Sequence, residues 1–106
     1  MSTAKTLMIL AGALLAAAPA IAEDHVITQS GKKFSERRIT ITVGDTVTFV
    51  NDDGTTHNVH SSSEGHEFDL GAQAPGSSTR HAFMAPGKAK VRCAIHPKMK
   101  IDVTVE

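Results

Sequence analysis

After residue 22 the chain alternates apolar and polar side chains with a period of two. Residues 39–43 and 46–49 set apolar side chains against threonines, and residues 88–93 and 99–105 set them against polar or charged ones. Alternation of this kind, rich in β-branched residues, is typical of antiparallel strands with one buried face. Turns that contain Gly and Pro separate the segments, and no helical period follows. The pattern therefore predicts an all-β fold, a sandwich of short strands.

Two segments carry weaker strand signals. Near the start, only His25-Val26-Ile27-Thr28 offers a first strand, so we expect that strand to be reduced or missing. Residues 61–74 are interpreted as a loop with one short strand at 67–70. The predicted sandwich is therefore a short one.

The first 22 residues have the layout of a secretory signal peptide. Lys5 gives a positive start, residues 7–18 are apolar, and Ala20 and Ala22 lie at the −3 and −1 positions of a cleavage site. The apolar run is short for a membrane span, and polar residues follow it at once. We expect cleavage before Glu23, which leaves an exported domain at 23–106 that does not insert in the membrane. An uncleaved anchor helix is the alternative.

Composition limits the kinds of partner that this small domain could bind and the means by which it could be stabilised. Eleven Lys and Arg balance eleven Asp and Glu, so neither a nucleic-acid surface nor a polybasic membrane surface is indicated. A domain of this size commonly needs disulfides or a metal. Cys93 is the only cysteine, so no internal disulfide can form, and a lone thiol in an exported protein needs an explanation. A bound metal would answer both points.

Strand phase aims several metal-ligand side chains at one interior. Cys93 and Met99 are in phase with the apolar positions of their strands, and His57 shares a face with Val59. His96 lies on the turn between Cys93 and Met99. A thiolate and two imidazoles with a weak thioether suit copper in electron transfer, whereas methionine is a poor zinc ligand. Taken alone, Cys93 could instead be an inert buried thiol or a nucleophile with His96 as its base.

Three motifs make the sequence resemble the cupredoxins, in particular the amicyanin, pseudoazurin and plastocyanin-like branch. They are Val43-Gly44-Asp45-Thr46-Val47-Thr48-Phe49-Val50-Asn51, Thr56-His57-Asn58-Val59-His60, and Cys93-x-x-His96-x-x-Met99. The two-residue spacers of the last motif resemble amicyanin most.

The resemblance implies a Greek-key sandwich, one type 1 copper ion and one-electron shuttling in the periplasm. It also implies that Asn58 ties the His57 strand to the Cys93 loop, with its backbone N–H directed at the sulfur. Groups of this kind orient the metal ligands and tune the reduction potential of the metal.

We therefore interpret the protein as a monomeric electron carrier and not an enzyme. His96 should be the ligand nearest the surface, where redox partners dock transiently against an apolar rim of Ala94, Ile95 and Pro97. Lys98 and Lys100 suggest a partner with acidic residues at its face. The alternative is a periplasmic copper carrier or chaperone that transfers the ion without redox cycling.

Further polar residues leave a second site open. His60 should face solvent, and with Glu64, His66 and Glu67 it could form a weak secondary copper or zinc site. A solvated polar loop is the favoured interpretation of these four residues. Met84 lies either near the metal or at the edge of the core.

Overall fold

The structure, a computed structural model, describes residues 21–106, which form nine strands and no helix. The strands are β1 (Asp24–Ser30), β2 (Lys33–Phe34), β3 (Arg38–Ile41), β4 (Thr46–Asn51), β5 (His57–Ser63), β6 (His66–Gln73), β7 (Ser78–Ala82), β8 (Gly87–Arg92) and β9 (Lys100–Val105). Within this range there is accordingly no helix long and apolar enough to cross a membrane. Nearly all of the predicted leader, residues 1–20, lies outside the described residues.

The strands form two sheets that pack face to face. One sheet has the order β2-β1-β4-β7, and the other has the order β3-β9-β8-β5-β6. The β1–β4 and β3–β9 pairs are parallel, and the remaining pairs are antiparallel. Because the chain crosses between the sheets after β2, β3, β4, β6 and β7, its connections are of the Greek-key kind. The prediction of an all-β sandwich is confirmed.

The core is built from the alternating positions that the sequence pattern marks as apolar. Side chains from both sheets meet there, each at most 2% exposed: Ile27, Val47, Phe49, Val59, Phe83, Ala89, Val91, Cys93, Met99, Ile101, Val103 and Val105. Burying one large apolar side chain stabilises the fold by roughly 1.5–3 kcal/mol. The intervening lysines of β8 are exposed, as predicted for the outer face. The core therefore extends to Cys93 and Met99 at one end of the sandwich.

The expectation of a reduced first strand is wrong. β1 has seven residues and pairs with β4 in parallel over six consecutive positions. Ile27 and Gln29 alternate into the interior at 2% and 0% exposure. The polar Gln29 interrupts the apolar pattern, and its Nε2 donates to Gln73 Oε1 at 2.7 Å. Backbone hydrogen bonds to β4 and β2 also stabilise this strand.

The interpretation of residues 61–74 as mostly loop is also wrong. β5 and the eight-residue β6 form a long antiparallel hairpin around Glu64 and Gly65. Gly65 has φ of 78°, in the region that favours glycine in a tight turn. Phe68 is partly buried and its ring stacks on His81 with centroids 3.9 Å apart. Apolar contact with the other sheet therefore turns a polar-looking segment into a strand.

Candidate metal centre

The candidate metal centre lies at one end of the five-stranded sheet, where three chain segments meet. His57 is the first residue of β5, Cys93 directly follows β8, and Met99 directly precedes β9. β8 is antiparallel to both β5 and β9, so the start of β5, the end of β8 and the start of β9 share one end of the sheet. The short 93–99 loop then carries His96 across the same end.

Three nitrogen and sulfur atoms converge there. The Nδ1 atoms of His57 and His96 are 3.2 Å apart, and each lies 4.0 Å from Sγ of Cys93. Within residues 21–106, this is the one group of three or more His, Cys, Asp or Glu residues whose donor atoms all lie within 4.8 Å of one another. His57 is 0% exposed, Cys93 is 1% exposed, and His96 is half-buried.

Met99 is buried at the same end, as its strand phase predicts. Its side chain is 1% exposed and belongs to the core cluster. Its backbone N–H donates to the carbonyl oxygen of His96 at 2.9 Å, which closes the last turn of the loop. The loop is thereby held between two buried residues, Cys93 and Met99, with His96 at its outer bend.

Asn58 cross-links the strands around the sulfur, which confirms the role that the resemblance implies for it. Its backbone N–H donates to Cys93 Sγ at 3.3 Å, and its side-chain Oδ1 accepts from the N–H of Ala94 at 3.2 Å. Its Nδ2 donates to Asp69 Oδ1 at 2.8 Å and to the carbonyl of Gly71 at 3.1 Å. Through these bonds Asn58 holds the sulfur of Cys93 and the start of the 93–99 loop against β5 and β6.

Asp53 orients the ring of His57, a contact that the sequence analysis missed. His57 Nε2 lies 2.6 Å from Asp53 Oδ2, while the two carboxylate oxygens accept the backbone N–H groups of Gly31 and Lys32 at 2.6 and 2.9 Å. The His57 hydrogen bond, followed by the one from Lys32, lowers the pKa of Asp53 below its ordinary value. An ionised Asp53 accepts a hydrogen bond from the Nε2–H of His57, which leaves the Nδ1 lone pair on the side that faces His96 Nδ1 and Cys93 Sγ.

The signal for Asp53 in the sequence is its position four residues before His57 in a polar turn. That spacing alone does not distinguish Asp53 from its neighbour Asp52. Only the β1–β2 turn, which brings two backbone N–H groups to the carboxylate, selects it.

The surface next to the site is apolar with basic neighbours. Ala94, Ile95 and Pro97 are exposed around the half-buried His96, and the side chain of Ile95 is 50% exposed. Ile95, His96 and Pro97 line a shallow surface groove, and Lys98 borders it. His96 is therefore the one side chain of the converging group that reaches the surface.

The residues of the possible second site are not brought together. His60 is partly exposed on the outer face opposite Arg92, whereas His66 is 8% exposed with Nε2 3.2 Å from the carbonyl of Pro86. Because His66 points inward, the description of a wholly solvated polar loop is wrong for that residue. Met84 is 70% exposed and stands outside the core.

The donor set fits copper. One thiolate and two imidazoles, with a buried thioether directly before β9, combine soft and borderline ligands in the pattern of electron-transfer copper sites. A closed structural zinc site would usually have four Cys or His ligands. The burial of Cys93 also speaks against a nucleophilic role, which requires access to a substrate.

Comparison with known proteins gives the same metal. Residues 22–106 match the family described as copper binding proteins, plastocyanin/azurin family. The methylamine utilization protein MauL of Methylorubrum extorquens is 32% identical over 93 residues, covering 85% of this chain and 82% of that protein. Amicyanin-alpha of the same organism is 35% identical over 104 residues, covering 95% of this chain and 87% of that one.

Solved structures share the fold. A reduced, Cu(I) form of an amicyanin variant matches with a TM-score of 0.73 at 26% identity, covering 86% of this chain and 88% of that one. The Cu-containing nitrite reductase of Thermus scotoductus matches with a TM-score of 0.72 at 26% identity over 84% of this chain. The match spans only 23% of that enzyme.

Replacement of Asn58 tests the cross-link. Asn58→Ala keeps the backbone N–H on Cys93 but removes the side-chain bonds to Ala94, Asp69 and Gly71. We expect the free energy of unfolding of the metal-free protein to fall by about 1–3 kcal/mol, because three part-buried hydrogen bonds are lost. Urea denaturation measures it. Ser62→Ala, on the exposed face of the same strand, is the control and should change stability by less than about 0.5 kcal/mol. Equal losses would contradict the assigned role.

Proposed function

The chain belongs to the plastocyanin/azurin family of copper-binding proteins, and on that basis we propose that it is an exported, periplasmic one-electron carrier with a single type 1 copper site. The observation that carries this proposal is the convergence of His57, Cys93 and His96 at the end of a rigid sheet. Export is supported by the leader pattern of residues 1–22. The copper-binding, electron-carrying domain of this proposal is then 23–106.

In this proposal the ligands are Nδ1 of His57, Sγ of Cys93, Nδ1 of His96 and, more weakly, the thioether of Met99. Copper supplies a centre that accepts and releases one electron. The soft sulfur of Cys93 favours the reduced ion, while the thiolate charge and the imidazoles stabilise the oxidised one. The same four side chains can therefore serve both redox states.

The residues around the donors keep them in one arrangement. Asn58 fixes the sulfur, Asp53 fixes the His57 ring, and the core surrounds Met99. Side chains that are already locked by packing and hydrogen bonds do not rearrange when the charge of the site changes. Such rigidity suits rapid electron exchange.

Access to the site supports a carrier rather than an enzyme. His57 and Cys93 are at most 1% exposed, so a substrate molecule has no path to them, whereas His96 lies at the surface among apolar side chains. Electrons can pass through an imidazole edge without any group entering the site. We propose that a redox partner docks over His96 against Ile95 and Pro97 in a small transient encounter. The name of one M. extorquens relative, a methylamine utilization protein, makes methylamine utilisation the first place to look for that partner.

The visible spectrum tests the ligand set. Cu(II) added to the purified domain should give an intense thiolate-to-copper band, because the sulfur of Cys93 donates to the ion. Cys93→Ser should abolish the band, and Met99→Leu should only shift it. His60→Ala, outside the converging group, is the control and should leave it unchanged. A colourless wild-type product would contradict the proposal.

Repeated redox cycling separates the electron carrier from a copper carrier or chaperone. In the copper-loaded protein we expect the ion to be retained through successive oxidation and reduction in the presence of a competing Cu(I) or Cu(II) chelator, because the donors are buried and pre-positioned. Copper bound per chain after each cycle is the measurement. Loss of the ion to the chelator in one redox state would favour the copper carrier.

The lysines beside His96 predict a salt effect on electron transfer. The rate with the physiological partner, or with an acidic redox protein in its place, should fall as ionic strength rises, because screening weakens steering between opposite charges. Lys98→Gln should reduce this dependence. Lys88→Gln is the control, since that residue lies at the far end of β8, about 16 Å along the strand from Cys93. A rate independent of salt would refute the acidic partner.

A further inference from the structure

Within residues 21–106, the first contacts with the sandwich are made where the leader is predicted to end. The backbone N–H of Glu23 donates to Asp45 Oδ1 at 2.9 Å, and the carbonyl of Glu23 accepts from the N–H of Thr46 at 2.9 Å. β1 starts one residue later, at Asp24. Ile21 is 89% exposed, and Ala22 is also exposed. The peptide bond between Ala22 and Glu23 is therefore accessible, while the chain that follows it is fixed.

Asp45 is a nearly buried carboxylate with donors on both oxygens. Its residue is 4% exposed, Oδ1 accepts from Glu23, and Oδ2 accepts from the N–H of Thr42 at 3.0 Å and from Nε2 of His25 at 2.9 Å. The Glu23 N–H is the largest cause that lowers the pKa of Asp45 to about 2. The carboxylate is thus ionised at neutral pH, and a cation beside it would stabilise it further.

We propose that Asp45 is the binding site for the α-ammonium group of Glu23 that forms when the leader is removed. A leader-cleaving protease hydrolyses the Ala22–Glu23 amide with one water: Ala22 leaves as a carboxylate, and the Glu23 nitrogen becomes an amine that takes up a proton. The nitrogen that donates to Asp45 as a neutral amide then donates as a cation. This proposal rests on the export part of the proposed function.

The charged contact makes processing a stabilising event. The bond from the neutral amide already has an ionised acceptor, and an ionised donor adds the attraction between opposite charges. Asp45 also joins two distant segments, because its carbonyl accepts from the N–H of Phe83 at 2.9 Å while its carboxylate holds Glu23. The processed domain is therefore more stable than the chain that still carries its leader, so cleavage fastens the first strand to the sandwich.

The site lies at the end of the sandwich opposite to the metal centre. Asp45 precedes β4, whereas the chain leaves the other end of β4 to reach His57. β1 runs parallel to β4, so its first residues lie at the same end as Asp45. The contact can therefore be altered without changing the copper donors.

Several other titratable groups lie near the Glu23 nitrogen and Asp45, and they are the same in all the proteins compared below. His25 and the Glu23 side chain adjoin the amine on its own segment, and Asp24 bonds Thr46 and Thr48 and lies 3.5 Å from Arg80 of β7. Glu106 reaches the β3–β4 turn through its carbonyl, and His81 lies on β7 opposite Val47. A difference between chains that vary only at the amine or at Asp45 isolates their contact.

The test begins with the full chain exported from a bacterial host. Intact mass and N-terminal sequencing should show a start at Glu23, and a start at any other residue would overturn the proposal. The copper-loaded 23–106 protein is then compared with a 22–106 protein, in which Glu23 is again a neutral amide. In 23–106 the α-amine should titrate about one unit above its ordinary pKa of about 7.7–8.0, a tenfold tighter hold on the proton. NMR titration of the amine measures this.

Unfolding as a function of pH provides the second readout. If folding raises the pKa of the α-amine, the contact adds its full stability below the pKa of the amine in the unfolded chain, near 8. That added stability is lost as the pH rises through the pKa of the amine in the folded chain. The unfolding midpoint of 23–106 should therefore exceed that of 22–106 at pH 6.5 and approach it at pH 10. Asp45→Asn in both proteins should remove the difference and return the amine to its ordinary pKa.

The outcomes separate this contact from the copper proposal. An ordinary amine pKa in 23–106, or a midpoint difference that persists at pH 10, overturns the contact even where the copper band is normal. If Asp45→Asn does not fold, the comparison of 23–106 with 22–106 still decides. Absence of the copper band in all of these proteins refutes the copper site without bearing on the amine.

Discussion

The position of the Cys93 sulfur is the constraint on which the rest of the structure depends. It follows a strand whose inner face is fully buried, and it receives the backbone N–H of Asn58 at 3.3 Å. A thiolate at such a depth requires compensation by hydrogen bonds or a cation, because burial disfavours the charged form. The imidazoles of His57 and His96 converge on the same point. The end of the sandwich is thereby shaped to hold a soft metal ion.

Two aspartates perform the same task at opposite ends of the sandwich. Asp53 accepts two backbone N–H groups and Nε2 of His57, while Asp45 accepts two backbone N–H groups and Nε2 of His25. In both cases the hydrogen bonds join segments that are distant in sequence, and they lower the pKa of the carboxyl so that it stays ionised. The carboxylate of Asp53 orients the His57 ring at the metal centre. The carboxylate of Asp45 holds the start of the first strand.

The contrast between buried and exposed donors connects this fold to its function. A copper-binding protein of this family must protect its ion from solvent and still exchange electrons. Here the core and the Asn58 cross-link enclose Cys93, while the bend of the 93–99 loop brings His96 to an apolar surface. In the proposed electron carrier, a single exposed imidazole edge would limit exchange to partners that fit that surface.

The sequence alone determined the sandwich, the inward phase of Cys93 and Met99, and the 93–99 loop, because alternation and spacing are local properties that survive in a one-dimensional pattern. Only the tertiary structure decided the full length of β1, the β5–β6 hairpin and the selection of Asp53 and Asp45. Each depends on a partner far along the chain: β1 pairs in parallel with β4, Phe68 of the hairpin stacks on His81 of β7, and each carboxylate accepts an N–H from a distant segment. Polar residues with such partners look like loop residues until the fold brings the partners to them.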